Sequence, residues 1–178
     1  MSDVTALSIQ SVSKNFGGLV AVDQITFDVK EHELVGLIGP NGSGKTTMLN
    51  LISGFLKLNS GQVAVFGKSI TGRSANCISR RGVARTFQLV RMLPSMTVRE
   101  NVAAGGVFGY QRYWEAELDR RTNFVIEQVG LGGKDAMPVV ALTYIDQKRV
   151  ELARALISDP KIILLDEWLA GLNPTEMD

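Results

Sequence analysis

The sequence holds one cysteine, Cys77, and one histidine, His32, among 178 residues. A lone cysteine excludes an internal disulfide and a cysteine-rich zinc site, and it fits a reducing compartment. His32 lies in a polar turn with no sequence neighbour that suggests catalysis, so it is read as exposed. There is no surplus charge of either sign: 19 Lys and Arg stand against 18 Asp and Glu, a formal net charge of +1. That balance offers no general footprint for nucleic acid or for an anionic membrane. Long hydrophobic runs are also missing. The longest aliphatic clusters, residues 34–38 and 162–165, are far short of the roughly 20 apolar residues that cross a bilayer. The opening MSDVTALSIQ has no basic segment followed by an apolar one, so no secretory leader is expected. Any membrane role is therefore expected to run through a partner. No internal repeat or low-complexity tract is present.

What remains is an ordinary globular composition, 45% hydrophobic and 21% charged. A chain of this length allows one compact domain, with room for an inserted lobe. Leu7 and Ile9 alternate with polar residues, as do Ile25, Phe27 and Val29. This period of two predicts strands with one wet face, as in an antiparallel sheet. Gly17 and Gly18 mark a turn between them, and residues 62–66 read as a further strand of that sheet. Residues 34–38 and 162–165 are nearly continuous aliphatic runs, predicting short strands buried on both faces of a parallel sheet.

A helix is predicted from about Gly44 to Ile52. Thr97 and Glu100 fit a capping box opening a helix to Ala104. Residues 113–129 carry Trp114, Leu118, Val125 and Val129 at helical spacing, with Gly130 as a stop. Residues 148–158 put Lys148, Glu151 and Arg154 on one side and Val150, Ala153 and Ile157 on another, predicting a half-buried helix. The organisation is a mixed α/β core with a β-rich edge and a helical insert.

Residues 39–46, GPNGSGKT, satisfy G-x-x-x-x-G-K-[ST] between an apolar strand and a helix. Glycines let backbone N–H groups wrap phosphate oxygens without Cβ clashes, and the helix N-terminus adds partial positive charge. Lys45 would contact the β- and γ-phosphates, and the Thr46 hydroxyl would complete a Mg²⁺ site. Asp166 and Glu167 directly follow the second aliphatic run. An Asp there can hold Mg²⁺, commonly through water, and the Glu can orient or deprotonate the attacking water. The competing reading of this acidic pair is a cap for the next helix.

These motifs, in this order and over nearly the whole length, resemble the nucleotide-binding subunit of ATP-binding cassette transporters. The resemblance implies an α/β fold: a P-loop NTPase core with a parallel sheet, an antiparallel β edge subdomain and a helical insert. One cassette would occupy residues 1–178, with 1–92 plus 158–178 as ATPase core and 93–157 as helical subdomain. It implies ATP and Mg²⁺ as cofactors. Nucleotide contacts would come from Phe16, stacking on adenine, and from Gly39, Asn41, Gly42, Ser43, Gly44, Lys45, Thr46 and Thr47. Thr143, in a signature-like segment at 142–149, would reach a nucleotide held by a second subunit. Catalysis would rest on Glu167, Gln88 and Lys45, and Mg²⁺ on Thr46, Gln88 and Asp166. Residues 170–173 resemble the D-loop, with Asn173 where Asp is usual. The segments 82–88, 96–102 and 171–176 are similar to importers of branched-chain or other hydrophobic amino acids.

The implied protein is a motor subunit on the cytoplasmic side of the membrane, attached peripherally to a membrane-spanning permease. It would pair with a second ATP-binding subunit, identical or not, and serve a periplasmic or extracellular solute-binding protein indirectly, without nucleic acid. Three departures stand against the family pattern. Ile145 occupies a glycine position in the signature segment, Trp168 stands where proline is usual, and the chain ends at Asp178 before any switch histidine. The expectation is accordingly a C-terminally truncated cassette. An alternative is a nucleotide-binding module without turnover of its own. A soluble P-loop kinase or a nucleic-acid-associated cassette ATPase fits the near-neutral charge and the signature-like helix less well. No role is predicted for Arg85, which reads as a surface strand residue.

Overall fold

The computed structural model describes residues 4–166. They fall into two compact units divided between Arg81 and Gly82, each with a sheet of its own. In the first unit, β1 (Thr5–Phe16) and β2 (Leu19–Lys30) form an antiparallel hairpin across Gly17 and Gly18. β3 (Ser60–Val65) pairs with the other side of β1, and β4 (Lys68–Ser69) with β3, giving the order β2-β1-β3-β4.

The alternation read from the sequence shows in this register. Leu7 faces Val65 and Ile9 faces Val63, and all four are buried. The next buried residue of β1 is Val12 rather than residue 11. A register shift between Ile9 and Val12, with Ser11 at φ 47, absorbs the extra residue. Such a bulge returns the strand's apolar face to the core. α1 (Lys45–Ile52) buries Met48, Leu49, Leu51 and Ile52, and the short α2 (Ala75–Ser79) buries Ile78.

One expectation fails here. Residues 34–38 form neither strand nor helix, and Leu34 and Ile38 are 96% and 97% exposed. An aliphatic run sets only a preference. A strand buried on both faces also needs hydrogen-bonding neighbours and covering layers supplied from elsewhere in the chain. Neither described sheet includes this segment.

In the second unit, β5 (Val83–Arg85) pairs in parallel with β6 (Ile162–Leu164). Three helices lie between them in sequence: α3 (Val98–Phe108), α4 (Glu115–Gln128) and α5 (Tyr144–Leu156). They bury a continuous cluster that includes Val98, Val102, Ile126, Leu131, Val150 and Ile157. The capping box is formed: the Thr97 hydroxyl accepts from Glu100 N–H, and the Glu100 carboxylate accepts from Thr97 N–H. α5 begins four residues earlier than its apolar pattern suggests. The Thr143 hydroxyl accepts the Asp146 N–H at 3.2 Å and so starts the helix.

A second correction concerns the polar side of α5. Lys148 and Glu151 are buried, 2% and 4% exposed, rather than solvated. Their carbons and charges lie under the loop that follows β5, which supplies partners no local pattern reveals.

Asn101 of α3 is fully buried. Its amide donates to Leu93 O at 3.1 Å and Thr97 O at 3.0 Å, and its carbonyl accepts Leu93 N–H at 2.9 Å. Asn101→Ala takes the acceptor from Leu93 N–H and empties a buried polar position, and it is expected to cost about 2 kcal/mol. Thr97→Ala removes a cap and is expected to cost about 1 kcal/mol. Urea unfolding checks both as a lowered midpoint with unchanged slope. A smaller loss for Asn101→Ala than for Thr97→Ala would contradict the buried network.

Candidate functional site

The glycine-rich loop stands in the first unit and leads directly into α1. Gly42 and Gly44 have φ of 81° and 88°, the left-handed region that favours glycine. At Gly44 space adds to the constraint: a Cβ there would lie 2.3 Å from Ala21 O of β2. Gly44 is also the N-cap of α1. No side chain caps that terminus, and its first turn holds no acidic residue. A helix start of this kind leaves backbone donors and the positive dipole end directed at an incoming anion.

Lys45 closes the loop on itself. Its ammonium donates to Gly39 O and Pro40 O, both at 2.8 Å. Ser43 N–H donates to Pro40 O at 3.2 Å, tightening the turn. Residues 39–43 are exposed, and Gly44, Lys45, Thr46 and Thr47 are half-buried. Phe16 ends β1 with 46% of its surface exposed, and the Lys14 ammonium lies 5.2 Å from its ring centroid.

The second unit holds Asp166, Gln88 and Thr143. Asp166 follows β6 and is buried, with Oδ2 accepting from Arg85 at 2.9 Å. Both side chains of this pair are about 95% shielded, at 5% and 4% exposure. Arg85 is therefore no surface residue. The parallel register explains why: Arg85 pairs with Leu164, and Asp166 lies two residues on, on the same face. The Arg85 guanidinium also lies 5.1 Å from the Phe87 ring centroid. Burial pulls the Arg85 pKa down, and the hydrogen bond and charge of Asp166 oppose that shift.

Gln88 lies in the irregular segment after β5, with its side chain exposed. Its carbonyl, and that of Phe87, accept from Lys148 at 2.8 and 2.9 Å. Glu151 accepts from Phe87 N–H and Arg91 N–H at 3.2 and 3.4 Å. Burial pushes the Glu151 carboxyl above the usual carboxylate range, against those two bonds and the charges of Lys148 and Arg154. Thr143 is exposed, and its hydroxyl is engaged as the cap of α5. Asp146, in the first turn of α5, is held by Lys134 at 2.5 Å and Arg149 at 3.3 Å. Glu167, Trp168 and the D-loop-like stretch lie outside the described residues.

The residues read from the sequence as Mg²⁺ ligands, Thr46, Gln88 and Asp166, carry a hydroxyl, an amide and a carboxylate, oxygen donors of the hard class that Mg²⁺ takes. No group of three or more His, Cys, Asp or Glu that could hold a metal occurs among the described residues. Mg²⁺ commonly takes one or two protein oxygens and fills its octahedron with phosphate and water. Arg85, Lys148 and Glu151 escaped the sequence reading. The only local trace was the spacing of Lys148 and Glu151 on one side of a helix, which equally describes a wet face.

The family model described as ABC transporter matches residues 22–170. The high-affinity branched-chain amino acid transport ATP-binding protein LivG of Escherichia coli is 38% identical, over 96% of this chain and 72% of its own length. The corresponding BraF of Pseudomonas aeruginosa is 35% identical, over 97% of this chain and 72% of its own. Among solved structures, the ADP conformation of the ATP-binding cassette MJ1267 superposes with a TM-score of 0.85. It is 31% identical and covered to 96% of this chain and 72% of that one. No helix among the described residues is long and apolar enough to cross a membrane.

The Arg85–Asp166 pair generates its own test. Arg85→Met leaves a buried carboxylate uncompensated and is expected to destabilise by about 3 kcal/mol or more. Adding Asp166→Asn removes that charge and should recover part of the loss. Urea titrations of the two single variants and the double variant measure the coupling. Additive losses would mean that the two groups do not act on each other.

Proposed function

The chain belongs to the ABC transporter family, and from that premise we propose that it is the ATP-binding and ATP-hydrolysing subunit of an importer. Its cargo would be branched-chain or other hydrophobic amino acids, the class named in the LivG and BraF relatives. The observation that carries the reading is the loop at 39–46, an uncapped helix start over which Lys45 is already folded. On nucleotide entry, the Lys45 ammonium would exchange two carbonyl partners for β- and γ-phosphate oxygens. The amides of the loop would take the remaining phosphate contacts, and Phe16 would stack on adenine.

Thr46, Gln88 and Asp166 would hold Mg²⁺, and the ion when bound would screen the charge on the β- and γ-phosphates. Glu167 would take the proton of the attacking water, which Gln88 helps to orient. The water oxygen forms the new bond to the γ-phosphorus, and the bond to the ADP oxygen breaks. The proposed division is an ATPase core of 1–92 plus 158–178 and a helical subdomain of 93–157. Pairing with a second cassette and with a permease on the cytoplasmic side would turn this cycle into transport, with a solute-binding protein acting through the permease.

The second reading, a module that binds without turnover, draws on one observation at the signature segment. Ile145 and the pinned Asp146 stand in the first turn of α5, where a second subunit's γ-phosphate would approach. Lys45→Ala is expected to weaken ATP binding about tenfold or more, or about 1.4 kcal/mol. Glu167→Gln should stop phosphate release while leaving binding intact. Calorimetric titration and a phosphate-release assay read the two effects. Unchanged affinity in Lys45→Ala would defeat the phosphate contacts, and wild-type binding without release would favour the module.

A further inference from the structure

Lys148 and Glu151 bring a cation and an anion into a nearly water-free position that the proposed hydrolysis does not itself use. Burying each charge costs several kcal/mol unless charge-assisted bonds offset it. Here the offset comes from one short stretch of backbone. Lys148 Nζ donates to the carbonyls of Phe87 and Gln88, and Glu151 Oε1 accepts from the N–H groups of Phe87 and Arg91. Both backbone groups of Phe87 are thus engaged, one by each side chain.

The geometry is specific. In a strand, successive carbonyls point to opposite sides. Two consecutive carbonyls converging on one ammonium therefore force the chain out of β5's extended course at Gln88. Two N–H groups four residues apart meeting one carboxylate oxygen fold the stretch back towards α5. Gln88 is left at the bend with its side chain exposed. Apolar side chains at 148 and 151 could fill the same volume, yet they could not impose that bend.

We infer that Lys148 and Glu151 are positioning residues that clamp residues 87–91 to α5 and so fix the place from which Gln88 acts. The inference rests on the ATPase reading for the role of Gln88, and on the hydrogen bonds alone for the clamp. Because α5 starts at the signature-like segment, the clamp also ties Gln88 to that helix start by about one helical turn of rigid backbone.

The test uses the full chain and three variants: Lys148→Met, Lys148→Arg and Lys148→Met/Glu151→Leu. Hydrogen exchange without nucleotide reads the amides of Phe87 and Arg91. ATP titration and steady-state phosphate release read affinity, KM and kcat. Lys148→Met should lower kcat about tenfold, with KM and ATP affinity within about twofold of wild type, and the double variant, which also removes the acceptor of the Phe87 and Arg91 N–H groups, should raise their exchange about tenfold or more. Lys148→Arg keeps the donors and should restore most of kcat. The double variant removes both buried charges, so it should fold while remaining slow.

Wild-type kcat in a folded double variant would overturn the inference, as would unchanged exchange at Phe87 in that variant. If the wild-type chain binds ATP but releases no phosphate, the hydrolytic reading fails first. The exchange rates then decide the clamp by themselves, and an unchanged rate at Phe87 overturns it.

Discussion

A carboxylate that is 3% exposed must be neutralised where it stands, and Asp166 meets that demand through Arg85 at 2.9 Å. The pair constrains the end of β6 and the end of β5 together. β5 is only three residues long, and the parallel register places Arg85 one strand-spacing from Leu164. A guanidinium suits the task because its planar donors can hold a carboxylate in one orientation, where a lysine would act as a point charge. Phe87 then lies beneath two guanidinium groups, those of Arg85 and Arg91, at 5.1 and 4.2 Å. The chain leaving β5 is thus held from its first residues, before Lys148 and Glu151 take over its backbone.

The two units handle charge in opposite ways. In the second unit, Arg85, Asp166, Lys148 and Glu151 are withdrawn from water and committed to one another or to backbone. In the first, the loop at 39–44 keeps little cover, and among the described residues the Lys45 ammonium donates to two local carbonyls. Local carbonyl bonds are readily exchanged for phosphate oxygens, because the competing partner brings full negative charge. A buried, paired charge is exchanged only at the cost of exposing its mate. The first arrangement suits a ligand grip and the second suits a fixed frame.

This contrast also explains what could be read beforehand. The loop, the capping box at Thr97, the turn at Gly17 and the positions of the main helices follow from neighbours within a few residues, so sequence spacing carries them. Val12 shows the first limit, since a bulge at Ser11 breaks the alternation that the pattern assumes. Residues 34–38 show the second: aliphatic character implied burial, while a strand depends on partners remote in sequence. Arg85 and Glu151 show the third. Their partners lie 81 and 64 residues away, at Asp166 and Phe87, and no periodicity encodes such a pairing. The candidate nucleotide residues were legible as motifs, and the buried partners Arg85, Lys148 and Glu151 were not.

The two long helices that begin at candidate phosphate sites differ at their first turns. α1 starts at a glycine in the left-handed region, without a side-chain cap and without an acidic residue. α5 starts at Thr143, whose hydroxyl already takes an N–H, and it carries Asp146 one turn in. An anion approaching α1 meets backbone donors and a cation at Lys45. One approaching α5 meets a terminus partly spent on its own cap and a carboxylate whose charge is shared with Lys134 and Arg149. Both differences, the free cap and the absence of a first-turn carboxylate, favour an anion at α1 over α5. The start of α1 is thus left open to an anion, while the start of α5 is taken up by its own side chains.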